Sequence, residues 1–304
     1  MEAAAIQAEG LTRRYGRRLA VDNVDLAIAP GEIFGFLGAN GAGKSSTIKM
    51  LLGLIRPSAG RVLLFGRPPD DPAVRRRLGF LPEQFRFPEW LTAAELMDYH
   101  GRLLGIAPAE RRTRGQRALE QVGLAGRGGD RLRGFSKGML QRAGLAQALM
   151  GRPSLIFLDE PTSGLDPVGR ADVRQLIQGL RAEGVTVFLN SHILSDVETV
   201  CDRVAILHAG KVAAAGPLTT LLHPDTQVDI RVGGIDAPAI QALGWPAARM
   251  EGNLWRLRLP DDQSVPELAR RLIAAGAELY DLHLHQRSLE DLFLGISRPE
   301  APAC

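Results

Sequence analysis

Cysteine is nearly absent from this chain. Cys201 and Cys304 are the only two in 304 residues. Two thiols are too few for a disulfide framework or a cysteine-rich zinc site. The fold must therefore depend on a hydrophobic core, and 304 residues are enough for one large domain or two ordinary ones.

Long apolar runs are also missing. No stretch approaches the roughly 18 apolar residues that a membrane-spanning helix needs. The first ten residues lack a basic region followed by an apolar one, so no signal peptide is predicted. We therefore expect a cytoplasmic protein whose role at a membrane, if it has one, depends on a partner subunit.

Lysine is scarce, and positive charge comes mostly from scattered arginines. Four lysines occur in the chain, and the formal net charge is only +3. No dense basic run or basic amphipathic stripe stands out. Short clusters such as Arg75–Arg77 and Arg111–Arg112 lie among helix-like residues and are typical of solvated faces. No nucleic-acid partner is expected.

One of the four lysines belongs to an uninterrupted G-x-x-x-x-G-K-[ST] pattern, which is typical of loops that cradle phosphates. Small residues let the backbone wrap an anion closely, and the lysine reaches the outer phosphates. An apolar strand, 32–37, precedes the loop and a helix, 47–52, follows it, which places the phosphates at a helix N-terminus. The predicted binding loop consists of Gly38, Ala39, Asn40, Gly41, Ala42, Gly43, Lys44, Ser45 and Ser46.

A second apolar strand ends in two carboxylates, Asp159 and Glu160. An acid at a strand end beside a phosphate loop can hold Mg²⁺ together with the Ser45 hydroxyl. Glu160 is suited to another task, which is to orient and deprotonate an attacking water.

Apolar runs at 154–158 and 185–189 alternate with helical stretches, which predicts a parallel α/β sheet. Composition changes at His223-Pro224-Asp225. We predict a nucleotide-binding domain over 1–224, with a helical subdomain at about 88–150. A second, α+β domain over 225–304 is predicted, whose βαββαβ order favours a split βαβ fold. In its last strand, His283 and His285 face one side, and a surface position is favoured over half a metal site.

Phe135-Ser136-Lys137-Gly138-Met139-Leu140-Gln141-Arg142 resembles the Leu-Ser-Gly-Gly-Gln signature of ABC transporter ATP-binding subunits, with Lys137 and Met139 departing from it. This segment, the phosphate loop and the Asp159-Glu160 pair carry the resemblance, which covers about residues 4–222. The implied fold is a P-loop NTPase of the ABC ATPase type. Ser136 caps a helix there, whose N-terminus can face a γ-phosphate.

The resemblance also implies roles for residues that mean little alone. Tyr15 matches the aromatic residue that stacks on adenine, and Gln84 matches the glutamine that senses Mg²⁺ and water. Asp166 belongs to the loop that bridges two sites, and His192 matches the histidine that contacts the γ-phosphate. Some of the residues Phe85, Phe87 and Trp90 then line a docking groove for a membrane subunit, or the three form a core cluster; both alternatives stay open.

The resemblance implies that ATP, with Mg²⁺, is held between the phosphate loop of one chain and the signature helix of another, in a homodimer. Lys44, Gln84, Glu160 and His192 would assist hydrolysis. The expected protein is the ATPase subunit of an exporter, held at the cytoplasmic face of the membrane by a separate permease. The alternatives are a soluble ABC-type ATPase that acts on nucleic acid or ribosomes, and a P-loop kinase or GTPase. The transported substrate is not predicted.

Overall fold

The computed structural model describes residues 3–222, 226–250, 252–260, 262–285 and 288–297. These residues form two compact units. One contains the chain up to Leu218 and the last described residues from Gly295, and the other spans Thr219–Leu294. The boundary predicted at His223–Asp225 lies outside the described residues. In the part of the chain that the structure describes, no helix has the length and apolar character needed to cross a bilayer.

The strands are, in chain order, β1 (Ile6–Tyr15), β2 (Arg18–Ile28), β3 (Ile33–Gly38), β4 (Ala59–Leu64), β5 (Leu78–Leu81), β6 (Leu155–Asp159), β7 (Thr186–Asn190), β8 (Arg203–His208), β9 (Lys211–Pro217), β10 (Thr226–Gly233), β11 (Ala247–Arg249), β12 (Leu254–Leu259) and β13 (Glu278–His285). The α-helices are α1 (Lys44–Leu51), α2 (Pro72–Arg75), α3 (Ala93–Leu103), α4 (Pro108–Gln121), α5 (Lys137–Leu149), α6 (Pro167–Ala182), α7 (Leu194–Val200), α8 (Leu218–Leu222), α9 (Ala237–Gln241), α10 (Val265–Ala274) and α11 (Leu289–Ser297).

A six-stranded sheet in the order β5-β6-β7-β3-β8-β9 forms the centre of the first unit. β5, β6, β7, β3 and β8 are parallel, and β9 is antiparallel to β8. Every residue of β6 and β7 is buried, which explains their continuous apolar runs. The predicted parallel α/β sheet is confirmed.

The register of this sheet brings the ends of three strands together. Asp159 at the end of β6 pairs with Asn190 at the end of β7, which in turn pairs with Phe36 of β3. In parallel sheets all carboxyl ends lie at one edge, where ligands usually bind. This edge therefore carries the phosphate loop, the two carboxylates and the segment around His192.

An antiparallel sheet in the order β2-β1-β4 lies beside it in the first unit. β1 and β2 extend beyond their apolar residues because polar residues such as Arg13 and Arg14 continue the pairing. Phe34, Phe36, Phe157 and Phe188 occupy the shared core, with ring centroids 5.2 Å apart for Phe157 and Phe188. Burying each such ring contributes about 2–3 kcal/mol.

Three helices, α3 to α5, occupy the segment that is predicted to be helical. Thr92 and Glu95 form a capping box at the start of α3: Glu95 N donates to Thr92 Oγ1 at 3.2 Å, and Thr92 N donates to Glu95 Oε2 at 2.7 Å. The first part of the predicted helical subdomain contains two helices, α3 and α4, and α4 starts at Pro108. Proline fits the first turn of a helix because no backbone donor is needed there.

The second unit is built on an antiparallel sheet in the order β11-β12-β10-β13. With α9 and α10 between the strands, the chain order is βαββαβ, and the predicted split βαβ fold is confirmed. Its core contains Val228, Ile230, Trp255, Leu257, Leu268 and Leu272. His283 is exposed, and the side chain of His285 lies outside what the structure describes. Among the described residues, no group of three His, Cys, Asp or Glu side chains could hold a metal ion.

Candidate nucleotide site

The phosphate loop connects β3 to α1, as the sequence predicts. Gly41 and Gly43 have φ of 80° and 111°, a region that favours glycine. A Cβ atom at Gly43 would overlap the carbonyl oxygen of Ala20, so no other residue fits. Gly43 also caps α1 without a side-chain hydrogen bond. The first N–H groups of this helix are therefore directed at the loop, as in an anion site.

Lys44 lies under this loop. Its Nζ donates to Gly38 O at 2.6 Å and to Ala39 O at 3.2 Å. Partial burial lowers the pKa of Lys44, while the negative charges of Glu160, Asp159 and Glu83 act in the opposite direction. The ammonium is thus held in place by backbone oxygens and is close to several carboxylates.

A cleft of about 560 Å³ surrounds the loop. Among the predicted site residues it is lined by Tyr15, Asn40, Gly41, Gly43, Lys44, Ser45, Ser46, Glu160 and His192. Five further residues that sequence reasoning did not assign to the site also line it: Arg18, Ala20, Glu83, Ser163 and Asn190.

Tyr15 lies at the end of β1 and is 44% exposed. The guanidinium of Arg13 lies 4.6 Å from the centroid of its ring. A hydrogen bond with Ser46 lowers the pKa of the Tyr15 hydroxyl. The ring is therefore attached to the start of α1 and borders the cleft, where a flat base could stack on it.

Asp159 is buried at the end of β6, and its Oδ1 accepts a hydrogen bond from Asn190 Nδ2. This leaves Oδ2 for another partner, while the Ser45 hydroxyl is exposed at the start of α1. Carboxylate and hydroxyl oxygens are ligands that Mg²⁺ accepts when phosphates and water complete its shell. The donor set fits a magnesium ion that arrives with a nucleotide.

Glu160 adopts a strained backbone conformation with φ of 55°, which costs a non-glycine residue about 1–2 kcal/mol. Its N–H donates to Asn190 O at 2.8 Å, and its Oε2 lies 2.6 Å from His192 Nδ1. Burial raises the pKa of the Glu160 carboxyl, and the contact with His192 partly opposes this rise. A buried, oriented carboxylate with a raised pKa is suited to take a proton from water.

Gln84 does not line the nucleotide cleft in the single chain. It lines a neighbouring groove of about 960 Å³, together with Phe85 and Phe87, whereas Glu83 lines both cavities. The chain bends at Glu83 and Gln84, directly after β5, and only Glu83 reaches the nucleotide cleft. Glu83 follows β5 at the same sheet edge as Asp159, a signal that becomes visible only once β5 is recognised.

The three aromatic residues after Gln84 have different surroundings. The rings of Phe85 and Phe87 pack together with centroids 5.0 Å apart in the groove. Trp90 is 73% exposed. Two of the three aromatic residues therefore line the groove, and a core cluster of all three is excluded because the Trp90 indole is exposed to solvent.

The signature residues lie on another surface of the same unit. Ser136 caps α5, with its Oγ accepting from Met139 N at 3.3 Å, and Asp166 caps α6, with its Oδ1 accepting from Gly169 N at 2.8 Å. Both residues line, with Gly138, a groove of about 510 Å³ that contains no residue of the phosphate loop. Lys137 packs against Gly164, where a Cβ atom would overlap the lysine side chain. The predicted site residues therefore divide between two surfaces.

A phosphate loop between a parallel strand and a helix, with a buried acid at the end of a nearby strand, defines a P-loop nucleoside triphosphatase. The ABC transporter family model matches residues 21–163. The chain is 43% identical to the uncharacterized ABC transporter ATP-binding protein sll0415 of Synechocystis, over 89% of this chain and 76% of the relative. It is 33% identical to the linearmycin resistance ATP-binding protein LnrL of Bacillus subtilis, over 96% and 98% of the two chains.

Solved structures that resemble this chain belong to the same family. An ATP-binding subunit of an ABC transporter has a TM-score of 0.66 and 31% identity, over 71% of this chain and 91% of that one. The ATP-binding cassette MJ0796, a dimer with ADP and phosphate, has a TM-score of 0.63 and 27% identity, over 70% and 98%. This chain belongs to the ATP-binding subunits of ABC transporters, and it is an ABC-type ATPase.

Proposed function

We propose that two copies of this chain close around two ATP molecules and that hydrolysis drives export through a separate membrane permease. One observation carries the dimer. Ser136, Gly138 and Asp166 line a groove without any phosphate-loop residue, so one chain cannot bring both halves of the predicted site to one nucleotide. The ATP-binding cassette MJ0796 forms a dimer with bound ADP and phosphate.

In the proposed closed dimer, the loop N–H groups and Lys44 bind the phosphates of ATP, and Tyr15 stacks on its base. The partner's copies of Ser136 and Gly138 then place a helix N-terminus at the γ-phosphate, where its dipole favours negative charge. Each ATP contacts both chains only in the closed form, and this differential contact drives closure.

Glu160 orients and deprotonates the attacking water, and His192 holds the carboxylate from the open side of the cleft. Ser45 and Asp159 are the proposed protein ligands of Mg²⁺, which neutralises charge on the phosphates. Gln84 is proposed to join this set on closure, since it follows Glu83 at the border between cleft and groove. Positioning and charge stabilisation account for most catalysis of this type.

Export is supported by the names of relatives. LnrL is a linearmycin resistance protein, and DrrA3 of Streptomyces coeruleorubidus, 33% identical over 98% of this chain and 97% of its own, is a daunorubicin resistance protein. A pump that removes a toxic compound explains resistance of this type. A permease on another chain would hold the subunit at the cytoplasmic face of the membrane.

The dimer is tested in a Glu160→Gln background, where slow hydrolysis preserves bound ATP. We expect ATP to convert this variant from monomer to dimer in sedimentation velocity. Adding Ser136→Arg should abolish the dimer, because the new side chain fills the groove where the partner's phosphate belongs, while ATP binding to the monomer persists. Thr113→Arg, on the exposed face of α4, is the matched control. Dimers of the Ser136→Arg protein would contradict the proposed site.

Docking of the permease is tested at the groove lined by Phe85 and Phe87, together with the exposed Trp90. Removing an aromatic anchor from an interface costs about 2 kcal/mol or more, roughly a 30-fold loss of affinity. We therefore expect Phe87→Ala with Trp90→Ala to lose co-purification with the permease while the ATPase rate of the isolated subunit is kept. Leu54→Ala, at a residue 60% exposed outside the groove, serves as control. Full retention of the permease would place the docking surface elsewhere.

A further inference from the structure

Gln141 is a buried amide in the helix that begins at Ser136. It lies in α5 and is 6% exposed. A buried amide is costly unless its donors and acceptors are satisfied. The Gln141 Nε2 group donates to two backbone oxygens of the loop 160–163 after β6, which we call the catalytic loop. These are Glu160 O at 3.3 Å and Pro161 O at 3.0 Å.

The backbone that Gln141 holds is the strained turn at Glu160. The Glu160 carbonyl also accepts from Ser163 N at 3.1 Å, which closes the turn. The Thr162 hydroxyl of this loop is buried and has no hydrogen-bond partner. That side chain therefore adds no tether, and the positive φ of Glu160 depends on groups outside the loop.

We propose that Gln141 is a positioning residue that couples the signature helix to the catalytic base, so that the place of α5 sets the place of the Glu160 carboxylate. The inference rests on the proposed dimer. There, Ser136 faces the nucleotide bound by the partner's phosphate loop, while Gln141 holds the base that serves the nucleotide bound by its own chain. Gln141 thus links the occupancy of one site to catalysis in the other.

The helix provides a rigid connection for this link. Gln141 lies five residues after Ser136, about 7.5 Å along the helix axis, or somewhat less than one and a half turns. A shift of the α5 N-terminus towards a phosphate must move the Gln141 amide with it. A displacement of about 1 Å at a catalytic group can cost about 100-fold in rate.

The test compares Gln141→Met with Gln147→Met. Methionine keeps the length and volume of the side chain but cannot donate to the two carbonyls. Gln147 lies on the same helix, is partly buried, and makes no hydrogen bond to the catalytic loop. We expect Gln141→Met to lower kcat about 10- to 100-fold, with the Kd for ATP and the ATP-dependent dimer in the Glu160→Gln background unchanged. Gln147→Met should keep the wild-type kcat.

A double-mutant cycle separates positioning from general damage. If Gln141 acts through Glu160, the Gln141→Met change should have little effect on the residual single-turnover rate of Glu160→Gln, because the base is already lost. An equal loss in both backgrounds would overturn the inference, as would a wild-type kcat for Gln141→Met. Should that variant unfold, Gln141→Asn decides in the same way, since it keeps a buried amide but withdraws the donor by one carbon. If the Glu160→Gln protein fails to dimerise with ATP, the proposed function itself is wrong.

Discussion

Glu160→Gln is expected to lower the steady-state rate of ATP hydrolysis by about 100- to 10,000-fold, the usual contribution of a general base. The amide keeps the shape of the side chain, but it cannot accept the proton of the attacking water. Phosphate release and ATP binding are measured on the same preparation, and the Kd for ATP should stay near the wild-type value. Glu183→Gln, which removes an exposed carboxylate after α6, should hydrolyse ATP normally.

The pH profile gives this prediction a second readout. Burial raises the pKa of Glu160, and the base must be ionised to act. The wild-type rate should therefore fall as the pH falls through that raised pKa. In His192→Ala the opposing contact is removed, so the pKa rises further and the acidic limb should move to higher pH. A Glu160→Gln protein with near wild-type turnover, or an unmoved limb in His192→Ala, would exclude Glu160 as the base.

The phosphate loop could be predicted from the sequence because its chemistry is contiguous. Gly41 and Gly43 are needed for their positive φ, and Lys44 reaches back to carbonyls only five and six residues away. Geometry of this kind depends only on residues that are close together in the sequence. The βαββαβ order of the second unit was predictable for the same reason, since its turns and periodic stretches are also local.

Residues that act through sheet register could not be predicted in this way. Asn190 meets Asp159 only because β6 and β7 pair in parallel with those residues opposite each other. Glu83 enters the cleft because β5 lies at the edge of the same sheet, and β5 has only four residues and no clear pattern. In the sequence Gln141 looks like an ordinary helical residue. Its contact with the loop after β6 is visible only in the folded structure, where α5 packs against that loop. Each of these depends on a contact between segments far apart in the chain.

Lys44→Ala is expected to have the largest effect on nucleotide binding. Leaving a bound charge without its partner costs about 2–5 kcal/mol, which corresponds to a loss of affinity of roughly 30- to 4,000-fold for ATP. The loss should be large here because Asp159, Glu160 and Glu83 are near Lys44, and without the ammonium their charges face the phosphates directly. Titration of the purified protein with a fluorescent ATP analogue measures the change.

Folding and binding can be separated at this position. Because partial burial lowers the pKa of Lys44, the charged form is disfavoured at its own site, and its removal should leave the nucleotide-free protein folded with a similar Tm. ATP should then raise the Tm of the wild-type protein but not that of Lys44→Ala, since only a ligand that binds the folded state stabilises it. Lys49→Ala, which removes the exposed lysine of the same helix, should behave like wild type. Equal stabilisation of both variants by ATP would mean that the phosphates bind away from this loop.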